Sequence, residues 1–381
     1  MGAEIRVRAP SLARTADGRW RVAAEIDGHE VHVTADVPLA VNGDAWATMM
    51  MLAATSTGAT LRVESDLDAA LTHNLDGVQA IARHHWRHKP ARVVPDGVVR
   101  REKSGGDALF FTCGVDSFYS LMKCRDVVER LIFVRGLNIN LIEATDEAHW
   151  QRVRRGVAAV ADEFGIPALF PETNLRLHPT FCRVGWDLSH LAAIAGVAHA
   201  LAPVVSRIHV ATSEARLPYG SDPTLDPLWG SGAVELVGEG WEATRLDKVR
   251  AIANWPLVHR HLSVCYVSRG DELNCGRCAK CVSTQLRFEI VGARDRLEVF
   301  PQVPLRELVD AIPWLHRDLV PLWVAMLPHV VDRSLRAAMT QLLERRPSAA
   351  EWLQERALWM RRYSTGRGIR RMAKRLLLQT S

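Results

Sequence analysis

Apolar positions over the first hundred residues fall in short runs broken by turn signals. Trp20 to Ile26 and Glu30 to Val37 flank Asp27-Gly28, a hairpin signal of the two-residue turn type. The apolar stretch Ala45 to Ala54 predicts a helix, Thr60 to Glu64 a strand, and Asp66 to Trp86 a second helix. His84, His85 and His88 end that helix before Pro90; cationic groups suit a helix C-terminus, and a metal site is the lesser reading. The run Arg101 to Asp107, with Ser104-Gly105-Gly106, predicts a linker.

A strand–helix alternation follows. Strands are predicted at Ala108 to Phe111, Arg130 to Val134, Ala168 to Phe170, Arg207 to Ala211 and Val234 to Val237. Helices are predicted after Phe111, from Thr145, over Ser189 to Val205 and over Leu246 to Ala253. Trp150, Val153, Val157, Val160 and Phe164 step along one face of the second of these helices. Repeated β-α units argue for a parallel sheet with helices on both faces, whose ligands bind beyond the carboxyl ends of the strands. From Pro304 onward the pattern is helical and rich in Trp and Arg.

Composition narrows the class. The 381 residues are 48% hydrophobic and 24% charged, a globular balance. The longest nearly apolar run, Leu191 to Val205, contains His199 and Pro203 and is too short to span a bilayer. Met1 to Pro10 has no apolar region behind its charges, so a cytoplasmic location is expected. Val331 to Ser381 holds 12 Lys+Arg against 4 Asp+Glu, so this tail carries +8 of a total of +5 and the rest sums to −3. Such a tail suits RNA or an acidic partner. The favoured expectation instead packs Trp352, Leu358 and Trp359 on the core or on a second copy of the chain, with the arginines in solvent.

Two motifs carry chemistry. In Leu109-Phe110-Phe111-Thr112-Cys113-Gly114-Val115-Asp116-Ser117, a buried strand enters a tight turn and then a helix. Backbone N–H groups and the helix dipole at such a turn suit an anion, phosphate above all. Thr112 and Ser117 add hydroxyls, and Asp116 suits Mg²⁺. The bland alternative is an ordinary junction with a capping aspartate. The second motif is Cys265, then Cys275-Gly276-Arg277-Cys278-Ala279-Lys280-Cys281. Four thiolates complete a tetrahedral Zn²⁺ shell with no open position, so the metal is structural; an iron–sulfur cluster is the alternative. In the loop Pro218 to Trp229, Tyr219 and Trp229 suit a flat ring and Ser213, Asp222 and Asp226 its polar edge; a Pro-braced surface loop fits equally. His190 reads as a core histidine or a proton carrier.

The first motif resembles the PP-loop, Ser-Gly-Gly-x-Asp-Ser, of the N-type ATP pyrophosphatases, with Cys113 standing where that family has glycine. The four-Cys pattern, with Thr244-Arg245-Leu246-Asp247-Lys248-Val249 upstream, is similar to 7-cyano-7-deazaguanine synthases. The resemblance covers about Asp107 to Gly292; the segment Arg135 to Asn140 departs from that family's pattern. It implies an α/β fold with a doubly wound, mostly parallel, HUP-like core. The organisation expected is an α+β domain over 1–104, a core with the zinc site over 105–295 and a helical basic region over 296–381. The resemblance implies a ligase that uses ATP and Mg²⁺ to adenylate a carboxylate or carbonyl oxygen of a small-molecule acceptor, for attack by a nitrogen nucleophile. Thr112, Cys113, Gly114, Val115, Asp116, Ser117 and Ser213 would bind the nucleotide. Asp116, Ser117 and Lys248 would serve the reaction, and Cys265, Cys275, Cys278 and Cys281 would hold Zn²⁺. Two alternatives stand beside it: sulfur transfer to a nucleobase through Cys113 or Cys182, with the tail gripping RNA, and a non-catalytic nucleotide- and zinc-binding partner protein.

Overall fold

A computed structural model describes residues 3–137, 139, 141, 144–214, 217–265, 268, 272–316, 318–349 and 351–353. The N-terminal unit runs β1 (Glu4–Val7), β2 (Ser11–Arg14), β3 (Trp20–Ile26), β4 (His29–Ala35), α1 (Asp44–Thr57), β5 (Thr60–Val63), β6 (Leu67–Asp68), α2 (Ala69–Trp86), β7 (Val93–Pro95) and β8 (Val98–Val99). The hairpin forms where expected: Ile26 pairs with His29, and Asp27 and Gly28 both take positive φ, as a primed turn requires. Helix α2 starts three residues later than the sequence suggests. Leu67 and Asp68 first pair with β8, and the Asp68 carboxylate then caps the helix by accepting from the Ala70 and Leu71 N–H groups.

The second unit holds β9 (Gly106–Phe110), α3 (Val115–Cys124), β10 (Arg130–Ile132), α4 (Ala144–Glu163), β11 (Ala168–Leu169), β12 (Glu172–Thr173), α5 (Trp186–Ala200), β13 (Val205–Ala211) and β14 (Glu235–Glu239). The helices α6 (Arg245–Ile252), α7 (Pro256–His261) and α8 (Ala279–Ile290) follow. Five strands form one sheet in the order β11-β10-β9-β13-β14, and every neighbouring pair is parallel. Alternate residues of β9 face opposite ways. Ala108 and Phe110 join a core with α1 and α5, while Leu109 and Phe111 join a second core with α3, α4, α6 and α7. Trp150, Val153, Val157 and Val160 of α4 are buried in that second core, as their spacing predicts.

Strand β9 begins at Gly106, inside the segment that reads as a linker, and that segment is tied down. Arg101 reaches the buried Asp44 at 2.9 Å, and Ser104 donates to the Ala202 carbonyl at 3.1 Å. Strand β12 leaves the second unit to pair antiparallel with β4, so the N-terminal sheet takes an edge strand from it. Helix α8 turns its other face to α9 (Leu305–Asp310), α10 (Val320–Val324) and α11 (Arg333–Glu344). Val282 and Leu286 of α8 join a third core there with Leu308, Trp323 and Met339. The tail beyond residue 353, with Leu358 and Trp359, lies outside the described residues; Trp352 is 44% exposed. No helix among the described residues is long and apolar enough to cross a membrane.

Candidate active site and metal centre

From β9 the chain runs outward to β10 and β11, then returns past β9 to lay down β13 and β14. The connections after β9 and β13 therefore diverge, opening a crevice at their carboxyl ends, the place where open parallel sheets take ligands. Both sequence-marked segments lie there: Thr112 to Ser117 after β9 and Thr212 to Glu214 after β13.

The turn after β9 is built around Cys113, whose φ is +57°. Left-handed backbone is what glycine supplies without cost. The Cys113 side chain is fully buried between strand β9 and Gly156 of α4, and burial raises its thiol pKa. Gly114 then opens α3 without a side-chain cap. Thr112 and Ser117 hydroxyls meet at 3.0 Å, and the Ser117 Oγ also accepts from the Thr112 N–H at 3.3 Å. Together they hold the mouth of the turn.

Three cations close on this turn. Arg245 Nη2 lies 2.8 Å from Asp116 Oδ2, and Lys248 Nζ lies 3.2 Å from Asp116 Oδ1. Lys248 is 0% exposed; it also donates to the Thr212 carbonyl at 2.6 Å, beneath Gly240 and the Tyr119 ring. Burial lowers the Lys248 pKa, with Asp116 resisting the shift. Burial works against the Asp116 charge, yet Arg245 and Lys248 hold its carboxyl below the usual range. The third cation is Arg287 of α8, 4% exposed, in electrostatic range of Arg245, Glu214 and Asp116. Glu214 accepts from the Arg245 backbone N–H. Ser213, next to it, is half-buried.

The sequence reading singles out Lys248 on α6 and passes over Arg245, one helical turn earlier on the same face. It has no signal for Arg287, which reaches the crevice only because α8 packs against α6. A Thr244–Asp247 capping box starts α6 and sets the pitch at which Arg245 and Lys248 both meet Asp116.

The four cysteine sulfurs lie within 4.8 Å of one another, with Cys265 to Cys278 at 4.0 Å and Cys275 to Cys281 at 3.9 Å. Bonds of about 2.3 Å to one tetrahedral ion would set sulfurs about 3.8 Å apart. The donor set therefore fits one ion, consistent with zinc; a multinuclear cluster would hold its sulfurs further apart, with several metals between them. Backbone N–H groups of Ser268, Cys278 and Cys281 donate to the sulfurs of Cys265, Cys275 and Cys278 at 3.1, 3.4 and 3.5 Å, which tempers thiolate charge. Gly276 turns the knuckle at φ +73°, and its carbonyl accepts from Gln285 Nε2 at 2.8 Å. Buried Asn274 braces the Cys265 segment through the Val264 N–H at 2.8 Å and the Leu262 carbonyl at 2.7 Å. Two residues before Cys265, the Ser263 N–H donates to the Cys113 carbonyl at 2.8 Å. The metal knuckle thus leans on the turn after β9.

Other sequence-marked groups lie elsewhere. Trp229 is buried in the core beside α2 and α5, so it packs rather than stacks on a ligand. Asp226 accepts from the Ser221 hydroxyl at 3.0 Å and Asp222 N–H at 2.8 Å, and Asp222 accepts from Thr224: these carboxylates brace their own loop. Tyr219, 37% exposed, rests on His190 at 5.0 Å. The His190 Nδ1–H donates to the Trp186 carbonyl at 3.2 Å, and burial pushes its pKa down to about 4, although the residue is half-buried rather than part of the core. Cys182 packs against the α1/α5 core, on the other face of the sheet from Cys113. Among the described residues, the four cysteines are the one group with metal-ligand spacing, so His84, His85 and His88 form none. Compared with known proteins, the chain matches no family model and no curated sequence.

Proposed function

We propose that this protein is an ATP-dependent enzyme of the PP-loop type. It adenylates a carboxylate or carbonyl oxygen of a small-molecule acceptor, releases pyrophosphate and joins the activated carbon to a nitrogen nucleophile. The observation that carries this reading is the convergence of an uncapped helix start with Arg245, Lys248 and Asp116 at the carboxyl end of β9. The first-turn N–H groups of α3 and the Ser117 and Thr112 hydroxyls would take phosphate oxygens. Arg245, held by Asp116, would meet charge developing on the leaving pyrophosphate. Lys248, enclosed and bonded to Thr212, would fix the distance between the β9 and β13 loops and keep Asp116 ionised. Mg²⁺ accompanies the nucleotide phosphates, with Asp116 and Glu214 as the nearby carboxylates. The cysteine knuckle would hold Zn²⁺ as a brace.

Sulfur transfer gains no support. Burial raises both the Cys113 and Cys182 thiols, against the thiolate that such chemistry needs, and the two belong to opposite cores. The test is pyrophosphate release from Mg-ATP and ammonium over a panel of heterocyclic carboxylic acids. Asp116→Asn removes the charge that holds Arg245 and Lys248, and Ser117→Ala removes a donor aimed at developing charge; each should lower the rate about a hundredfold or more. Full release by both variants would overturn the reading. ATP binding without release by any acid would favour a non-catalytic nucleotide-binding protein.

A further inference from the structure

Arg287 is assigned no task by the sequence pattern. It sits on α8, six residues after the last metal-ligating cysteine, and almost none of it reaches solvent. A buried guanidinium is costly unless carboxylates or hydrogen bonds compensate it. Here the compensation is slight. Among the described residues Arg287 makes no ion pair, and its hydrogen bond runs from Nη1 to the Ser283 carbonyl of its own helix at 2.9 Å. Burial and the nearby Arg245 push its pKa down to about 10, which still leaves it charged at neutral pH. Of the two carboxylates within range, Asp116 already pairs with Arg245 and Lys248, and Glu214 accepts from the Arg245 backbone N–H. Arg245, Lys248 and Arg287 against Asp116 and Glu214 leave one positive charge in excess among the described residues of this crevice.

We infer that Arg287 is an anion-binding residue of the crevice, completing a polyphosphate site whose third cation is delivered by the metal knuckle. The inference rests on reading the crevice as a phosphate site and names a ligand-binding residue for it. The missing counter-charge is the ligand itself, an anion of the pyrophosphate class. The delivery is mechanical. Cys281 lies in the first turn of α8, Gln285 ties the helix to the Gly276 carbonyl, and Arg287 stands one half-turn further on. Setting the knuckle would set the position at which α8 holds the guanidinium. A metal that touches no substrate would then still control affinity for one.

The experiment is calorimetric titration of inorganic pyrophosphate into the full-length zinc-loaded protein. Wild type should bind. Arg287→Met should bind at least tenfold more weakly while keeping its zinc and its melting temperature, because the side chain carries no ion pair that the fold relies on. Arg287→Lys keeps the charge and loses the forked donors, so its affinity should fall between the two. A merely structural arginine would instead lower zinc content or melting temperature in step with binding. Pyrophosphate affinity unchanged in Arg287→Met overturns this inference alone. No pyrophosphate binding by wild type overturns it together with the phosphate reading of the site. If Arg287→Met does not fold, Arg287→Lys decides: weakened binding at an unchanged melting temperature supports the inference, and wild-type affinity overturns it.

Discussion

Cys113 shows how one residue can serve the backbone and the core together. Its positive φ bends the chain into the turn, while its side chain fills space beside Gly156 and His261. A left-handed non-glycine residue costs about 1–3 kcal/mol, and more for a β-branched one. Cys113→Val should therefore destabilise the protein more than Cys113→Ala, because the β-branched side chain tolerates the left-handed backbone least. Urea unfolding of both variants is the check; a valine variant at least as stable as the alanine one would contradict it. His209 makes a second residue-scale case. It lies buried between Glu239 at 3.0 Å and Asp107 at 3.3 Å, bridging β13 to both neighbours. Burial alone would lower its pKa, but the two carboxylates outweigh burial and raise it above 6.5. Its charge thus stabilises the fold fully below the unfolded value, and the gain is lost as pH rises through the folded value. The stability advantage of wild type over His209→Gln should be greatest below about pH 6.5 and shrink as pH rises above it. An advantage that grows with pH would show that His209 is buried neutral.

At the scale of elements, helix starts and turns position the site. The capping box of α6, the uncapped start of α3 and the knuckle before α8 aim three helices at one crevice. The knuckle depends most on a metal, because four sulfurs at 3.9–4.8 Å cannot all ionise without a cation between them. Purified protein should carry one zinc per chain by elemental analysis. Cys278→Ser should release it and lower the melting temperature, since structural metal binding is coupled to folding. Iron in place of zinc, or a metal-free protein of undiminished stability, would refute this. These elements were partly legible. The cysteine spacing and the strand–turn–helix around Asp116 could be read directly, because their partners are close in sequence. Helices α7 and α8 were not read, since no long periodic run announces them.

At the scale of the molecule, the first unit is welded to the second through α1 and α5. Gly196 of α5 lies against α1 so closely that a Cβ there would stand 2.8 Å from the Ala45 carbonyl and closer still to Met49. Gly196→Val should push the helices apart and cost roughly 2–3 kcal/mol by overpacking. Because one core runs from Ile5 to Leu236, the loss should appear in a single transition followed by circular dichroism and by tryptophan fluorescence alike. Two separated transitions, with only one of them shifted, would mean that the units unfold independently.

The sequence by itself determined the periodic elements, the parallel βα order and the cysteine set, because each is written in residues a few positions apart. Ala108 to Phe111, the α4 stripe and the Asp27-Gly28 turn could all be read this way. Only the tertiary structure decided which cations meet Asp116. Arg245 and Lys248 lie more than a hundred residues from it in sequence, and Arg287 comes within electrostatic range because α8 packs against α6. It also decided that Trp229 is core and that Asp222 and Asp226 brace a loop, since an aromatic or a carboxylate carries no mark of which way the chain will turn it. Burial and charge balance arise from segments distant in sequence, and local patterns contain no term for them.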